Sequence, residues 1–338
     1  MAEVRARVIS QEKGLYRLSS GAEVKAASVS GKYRYDALTV SDYPAVGDYV
    51  LADWPENDGP AVIRSLFPRK SCFIRKAAGR EKKEQVVAAN IDTVLICMSL
   101  NQNFNLRRLE RYLSIAYDSG AAPVVVLTKS DLCADTASRI DDVRRTAPGV
   151  DVLAISSRSE AYAAVMQYIL PGKTVAFIGS SGVGKSTLIN KLTGTGSLAT
   201  RATGSGDKGR HTTTHRELIA LPNGAFLIDT PGMRELGMWD SGEGIDTAFR
   251  DVEALTRACK FSNCTHTTEP GCAIRSALAD GTLDAARWNS FRKLKLENGR
   301  AAAHSRYLDA KREKFKEIAK RNKASKKNTS GTPRQNLP

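Results

Sequence analysis

Three groups of residues have the types and spacing to do chemistry. The first is Gly179-Ser180-Ser181-Gly182-Val183-Gly184-Lys185-Ser186-Thr187, which fits the pattern G-x-x-x-x-G-K-[ST]. Its glycines let the backbone turn tightly and approach an anion where a Cβ would collide. The surrounding amide N–H groups and the start of a following helix cradle phosphate oxygens. Lys185 would reach the β- and γ-phosphates, and the Ser186 hydroxyl would ligate Mg²⁺. The second group is Thr128-Lys129-Ser130-Asp131. Guanine presents N1–H and N2–H₂ side by side, and the Asp131 carboxylate can accept from both. Adenine lacks that donor pair and would leave buried polar groups unpaired. The Lys129 stem would cover the base. Ile155-Ser156-Ser157 is a second candidate base-contacting turn, with an ordinary helix N-cap as its alternative. The third group is Cys259, Cys264, His266 and Cys272. Three thiolates and an imidazole suit one tetrahedral structural Zn²⁺, a folding staple with no open position for hydrolysis. The alternative is a chance cluster of reduced thiols.

The elements that must position these groups follow from periodicity. Thr174–Ile178 reads as a buried strand and Ser186–Leu192 as a helix, flanking the glycine-rich turn. Upstream, Ile91–Met98 is a near-continuous apolar run, as in a strand buried on both faces. Then come a helix over Leu106–Asp118, a strand over Pro123–Leu127, a helix over 134–146, a strand over Val150–Leu153 and a helix over 160–169. This alternation predicts a parallel sheet covered by helices. Gly194–Thr214, rich in Gly, Ser, Thr and basic residues, reads as a mobile loop. Its end, Gly209–His215, offers hydroxyls to Mg²⁺ and the γ-phosphate, from either Thr213 or Thr214. Glu217–Leu221 and Ala225–Ile228 form a hairpin around Pro222-Asn223-Gly224 and deliver Asp229-Thr230-Pro231-Gly232. This fits D-x-x-G, with Asp229 near Mg²⁺ and the Gly232 amide on the γ-phosphate.

Before these elements, residues 1–70 alternate apolar and polar, with strand candidates at Val4–Ile9, Tyr16–Leu18, Val24 onward, Leu38–Val40, Gly47–Leu51 and Ala61–Leu66. So many short strands suggest a small β-barrel, of which the OB-fold is a common oligonucleotide binder. Tyr33, Arg34 and Tyr35 could form a stacking platform, or the barrel could be inert packing. Pro68–Gln85 reads as a charged linker or mobile loop. After the cysteine cluster the chain turns helical and basic from Arg287, and past Lys320 its composition predicts disorder. With 338 residues the chain suits two or three domains, and its net charge of +15 suggests a polyanionic partner, nucleic acid or a membrane surface. No apolar run reaches about 18 residues and no basic helix has a broad apolar face, so the membrane is the weaker reading. The start has no secretory pattern, and the six cysteines lack a disulfide framework, as expected in a reducing cytosol. Cys97 reads as core.

Guanine-nucleotide hydrolases ordinarily run glycine-rich loop, threonine, D-x-x-G, base motif, serine turn. Here Thr128–Asp131 and Ser156 precede Gly179, so the chain looks circularly permuted. On Thr128–Asp131, Gly179–Thr187, Gly209–His215, Asp229–Gly232 and the Cys259, Cys264, His266, Cys272 set, residues 1 to about 320 resemble the RsgA (YjeQ) family of small-ribosomal-subunit biogenesis GTPases. The resemblance implies a multi-domain chain: an OB-type β-barrel over 1–70, a permuted α/β P-loop GTPase domain over 71–237, a zinc-binding, mostly helical domain over 238–320 and a basic tail over 321–338. It implies binding of the maturing small subunit and its rRNA, GTP hydrolysis to GDP there, and departure, in the cytoplasm, as a monomer off the ribosome. Thr128 replaces the Asn of many relatives, which is expected to remove an amide that steadies the loop and to weaken affinity. Met233 occupies the position where a water-orienting Gln often follows D-x-x-G, so intrinsic hydrolysis is expected to be slow. His211, His215 or a ribosomal group would then act. Two other classes compete: an RNA-binding assembly module that uses GTP only for shape, and a P-loop ATPase or nucleotide kinase.

Overall fold

The computed structural model describes residues 2–12, 14–21, 23–76, 84–156, 162–193, 217–229, 242–300 and 303. The Gly194–Thr214 loop, His211, Thr213, Thr214, His215, Gly232, Met233, Ser157 and the 321–338 tail lie outside the described residues.

The N-terminal strands are β1 (Ala2–Glu12), β2 (Leu15–Ser20), β3 (Glu23–Val29), β4 (Tyr49–Trp54) and β5 (Ala61–Leu66). They pair in the order β1-β2-β3-β5-β4, and β4 returns to β1, closing a five-stranded barrel. All pairings are antiparallel except β3 with β5. Alternation drives this closure: along β4, Val50, Ala52 and Trp54 point inward while their neighbours stay half-buried. Short helix α1 (Gly31–Asp36) is capped by Ser30, whose side chain accepts from the Tyr33 amide. Two expectations fail here. Leu38–Val40 forms no strand, because Leu38 is exposed and Val40–Asp42 is a 3₁₀ turn. Tyr33, Arg34 and Tyr35 lie on a helix, where neighbours diverge. Tyr35 is exposed, but the Tyr33 hydroxyl donates to the Asp42 carbonyl at 2.6 Å, so no flat stacking strip forms.

The reading of Pro68–Gln85 as a linker or mobile loop fails at both ends: strand β6 (Cys72–Lys76) lies within it and pairs antiparallel with β7 (Glu84–Ala89), which begins there. Gly47, at φ +94°, marks where the barrel crosses β7: a Cβ there would stand 2.1 Å from the Ala89 carbonyl oxygen.

The central sheet has β8 (Thr93–Ser99), β9 (Ala122–Thr128), β10 (Asp151–Ala154), β11 (Thr174–Ile178), β12 (Glu217–Ala220) and β13 (Phe226–Asp229). Its order is β10-β9-β8-β11-β13-β12, parallel except for the β12–β13 hairpin. Strands β8 and β11 are buried along almost their whole length, as their unbroken apolar runs predict. One face packs on α2 (Leu106–Ser119) and α3 (Thr136–Thr146), the other on α4 (Ala163–Met166) and α5 (Lys185–Thr193). Helix α2 begins at Asn105, whose side chain accepts from the Arg108 amide, and ends at Gly120 in the left-handed region. The barrel joins this sheet through β1–β12 pairing and through Arg7, whose guanidinium donates to Thr174 Oγ1 at 2.5 Å, at the start of β11.

Beyond the sheet lie α6 (Glu243–Ala248), α7 (Arg250–Arg257), α8 (Ala273–Ala279) and a helical stretch over 285–300. Their apolar residues, including Ile245, Phe249, Ile274 and Phe291, share one core with Leu109 and Leu113 of α2. Helix α6 crosses α2 at Gly244, where a Cβ would lie 2.2 Å from the Ser114 carbonyl oxygen, and the Gly244 amide donates to Asp118 at 2.6 Å. No helix among the described residues is long and apolar enough to cross a membrane.

Candidate functional site

Parallel α/β sheets bind ligands beyond the carboxyl ends of their strands. The first two residue groups converge there. Strand β11 runs into Gly179 at φ +149°, where a Cβ would meet the Cys97 carbonyl oxygen of β8 at 2.3 Å. The glycine is therefore demanded by the neighbouring strand, whereas spacing alone had suggested the phosphate. Gly182 and Gly184 also take positive φ, as the tight loop requires. The Lys185 ammonium donates to the Gly179 carbonyl at 2.5 Å and the Ser180 carbonyl at 2.7 Å, folding it over the loop. Ser186 and Thr187 occupy the first turn of α5, and Val183 is buried beneath the loop. Buried Cys97 is pushed up to about 12 by desolvation and serves as packing.

The Thr128–Asp131 segment leaves β9, two places from β11 in the sheet. Thr128 Oγ1 donates to the Val183 carbonyl at 2.5 Å, and the Lys129 ammonium donates to the Gly182 carbonyl at 2.8 Å. Thr128 does not lose the loop contact that an Asn amide would make: its hydroxyl is short enough to reach the loop carbonyl directly. Lys129 takes φ +59°, swinging the chain into the 3₁₀ turn Ser130–Leu132. Ser156 follows β10 and donates its hydroxyl to Asp131 Oδ1 at 2.7 Å, while the Ser130 amide donates to the Ile155 carbonyl. Ser156 thus orients the carboxylate. Tyr162, given no role by the sequence, lies close enough that burial and then the Asp131 charge raise its phenol. Asp229 ends β13, beside β11, so its main chain reaches the same sheet end.

The structure also reveals two side chains that sequence reasoning missed. Asn103 and Arg108, from the loop and first turn after β8, both bond the Ser180 hydroxyl at 3.0 Å. Their only sequence signal is position: both follow a buried parallel strand, at the ligand-binding end of the sheet.

Cys259, Cys264, His266 and Cys272 offer ligand atoms all within 4.8 Å of one another. Cys259 and Cys272 sulfurs are 3.9 Å apart, and each is 3.5 Å from His266 Nδ1. A tetrahedral ion with M–S and M–N bonds of about 2.3 and 2.0–2.1 Å sets edges of roughly 3.8 Å and 3.5 Å. The donor chemistry and the spacing therefore fit one four-coordinate metal. His266, at φ +60°, packs its ring edge-on to Trp288 at 5.4 Å, tying the cluster to the helical core.

The strand that carries Thr128–Asp131 precedes the strand that carries Gly179 in the chain, yet the two segments meet at one end of the sheet. That arrangement defines a circularly permuted P-loop GTPase. The family model of the RsgA GTPase matches residues 66–239. RsgA 2 of Lactiplantibacillus plantarum, a small ribosomal subunit biogenesis GTPase, is 46% identical over 309 residues, covering 91% of this chain and 87% of its own. RsgA of Opitutus terrae, named likewise, is 44% identical over 333 residues, covering 93% and 89%. The fold matches YjeQ of Thermotoga maritima with a TM-score of 0.67 at 24% identity, covering 88% of this chain and 99% of that one. YloQ, a circularly permuted GTPase, matches with a TM-score of 0.63 at 25% identity, over 88% and 96%. The chain belongs to the RsgA GTPase family.

Proposed function

We propose that the protein binds the maturing small ribosomal subunit and its rRNA, hydrolyses GTP to GDP and phosphate there, and is released. One observation carries the nucleotide part: Thr128 and Lys129 bond the main chain of the phosphate loop, which supports base selection and phosphate binding by one joined site. Asp131, held by Ser156, would accept from the guanine N1–H and N2–H₂. The amides of Gly179–Thr187 would cradle the phosphates, with Lys185 turning from the loop carbonyls to the β- and γ-oxygens.

Ser186 and Asp229 would hold Mg²⁺, which when bound neutralises charge on the phosphate oxygens. Thr213 or Thr214 and the Gly232 amide would close on the γ-phosphate. His211 would orient the attacking water in place of the Gln that Met233 displaces. The Cys259, Cys264, His266, Cys272 set would hold one structural Zn²⁺, fixing the helical region. We assign 1–70 to the barrel, 71–237 to the GTPase domain, 238–320 to the zinc-binding helical domain and 321–338 to a basic tail, in a cytoplasmic monomer.

The net charge of +15 supports an RNA partner through phosphate contacts and counterion release. The test is GTP turnover with and without purified small subunits at rising salt. Turnover should rise with subunits, and the stimulation should fall steeply with salt. Equal turnover with and without subunits would contradict the proposal.

A further inference from the structure

Asn103 and Arg108 converge on Ser180, the second residue of the phosphate loop. Arg108 Nη1 donates to Ser180 Oγ at 3.0 Å and to Asn103 Oδ1 at 2.5 Å, and Asn103 Nδ2 donates to Ser180 Oγ at 3.0 Å. The Ser180 carbonyl accepts from the Lys185 ammonium at 2.7 Å. A guanidinium and an ammonium therefore hold the same residue, one by its side chain and one by its main chain. Lys185 is the cation that reaches the terminal phosphates in this loop pattern, so Ser180 marks the γ-phosphate end of the cradle. Arg108 is half-buried, makes no ion pair among the described residues, and its guanidinium uses only Nη1 for its side-chain bonds there. A cation pre-oriented beside an anion cradle, with no carboxylate of its own, has its charge available to the ligand.

Resting on the nucleotide-site reading above, we propose that Arg108 is a specificity-determining residue for the terminal phosphate. With a diphosphate bound, its guanidinium stays on Ser180 and Asn103. With a triphosphate bound, the guanidinium adds a charge-assisted bond to the γ-phosphate, an arginine supplied in cis from the first turn of α2. Asn103 holds the side chain in place, so little rotamer freedom is lost when the phosphate arrives. Arg108 thus separates GTP from GDP, where Asp131 separates guanine from adenine.

The test is calorimetric titration of full-length wild type, Arg108→Gln and Arg108→Lys with GDP and with a non-hydrolysable GTP analogue. For Arg108→Gln, GDP affinity should stay within about two-fold while the analogue weakens about ten-fold, the scale of one charge-assisted phosphate contact. Arg108→Lys, which keeps the charge but not the fork, should recover part of the loss. Unchanged affinities, or equal weakening for both nucleotides, would make Arg108 a prop of the loop and overturn the proposal. Wild type that binds neither nucleotide would instead remove the nucleotide site itself, and this role with it.

Discussion

Replacing Arg287 with Met should loosen the helical region from α2. The guanidinium sits between three elements. It donates to both Asp251 oxygens at 2.6 and 2.7 Å, to Glu110 Oε1 at 3.0 Å and to the Ala248 carbonyl at 3.1 Å. The Glu110 side chain is fully buried, and its remaining cation is Arg107 at 2.6 Å. Removing one partner of a buried pair costs about 3–5 kcal/mol, because the other charge is left without compensation. Here Arg107 stays on Glu110 and Asp251 is half exposed, so the lower end, about 3 kcal/mol, applies. That corresponds to a roughly 150-fold larger opening constant.

A chain of several modules has no single unfolding free energy, but local opening is well defined. Native-state hydrogen exchange of the α6 and α7 amides should therefore accelerate about 150-fold in Arg287→Met. The control is Arg111→Ala, which removes a partly exposed pair with Glu297 at 2.7 Å and should cost at most about 1 kcal/mol.

The pH dependence has a defined sign. Burial raises the Glu110 carboxyl, against the hydrogen bonds and charges of its neighbours. Its contribution is thus present below the usual glutamate range and lost as pH rises through the folded value. Burial also pushes Asp251 up, but the bonds and charge of Arg287 outweigh this and hold it below its ordinary value. Its contribution is present above that ordinary value and lost as pH falls through the folded one. As pH falls toward the usual glutamate range, protonation relieves the variant at Glu110, and below the ordinary value of Asp251, 3.8, wild type also weakens there, so the gap should narrow as pH falls and narrow further below 3.8. Exchange within about five-fold of wild type at pH 7, or equal effects in Arg287→Met and Arg111→Ala, would refute the reasoning.

Two further outcomes follow from the same geometry. Thr128→Val removes the hydroxyl on the Val183 carbonyl and leaves a buried acceptor unpaired, so GTP and GDP should both bind about five- to ten-fold more weakly in titrations, with Thr128→Ser restoring them. Selective loss of one nucleotide would contradict this loop-steadying role. Stripping metal with a chelator should red-shift the Trp288 emission, since its ring packs on His266, and the shift should vanish in Trp288→Phe. An unchanged spectrum, from protein carrying no zinc by elemental analysis, would remove the metal from the account.

The sheet was legible because its central strands are buried on both faces and have no reason to alternate. Strands β8 and β9 and the strand before Gly179 follow from that pattern, while the β12–β13 hairpin follows from its Pro222-Asn223-Gly224 turn. The β6–β7 hairpin was not legible, because its charged residues, among them Arg75, mask the half that is buried at Phe73, Val86 and Val87. Leu38 misled in the opposite way: it is apolar but 67% exposed. At the site, motifs named the candidate residues, but not what holds them. The Arg108–Ser180 contact spans 72 residues and the Arg287–Glu110 contact 177, separations that no local spacing rule reaches.

The central claim is that one pocket, built from a permuted chain, selects guanine through Asp131. The most direct measurement is calorimetric titration of wild type and Asp131→Asn with GTP, ATP and xanthosine triphosphate. Xanthine carries a carbonyl where guanine carries its amino group, so an Asn amide would donate where the Asp carboxylate accepted. Wild type should bind GTP and reject ATP, and Asp131→Asn should lose GTP and gain xanthosine triphosphate. Equal binding of GTP and ATP by wild type, or undiminished GTP binding by Asp131→Asn, would contradict it.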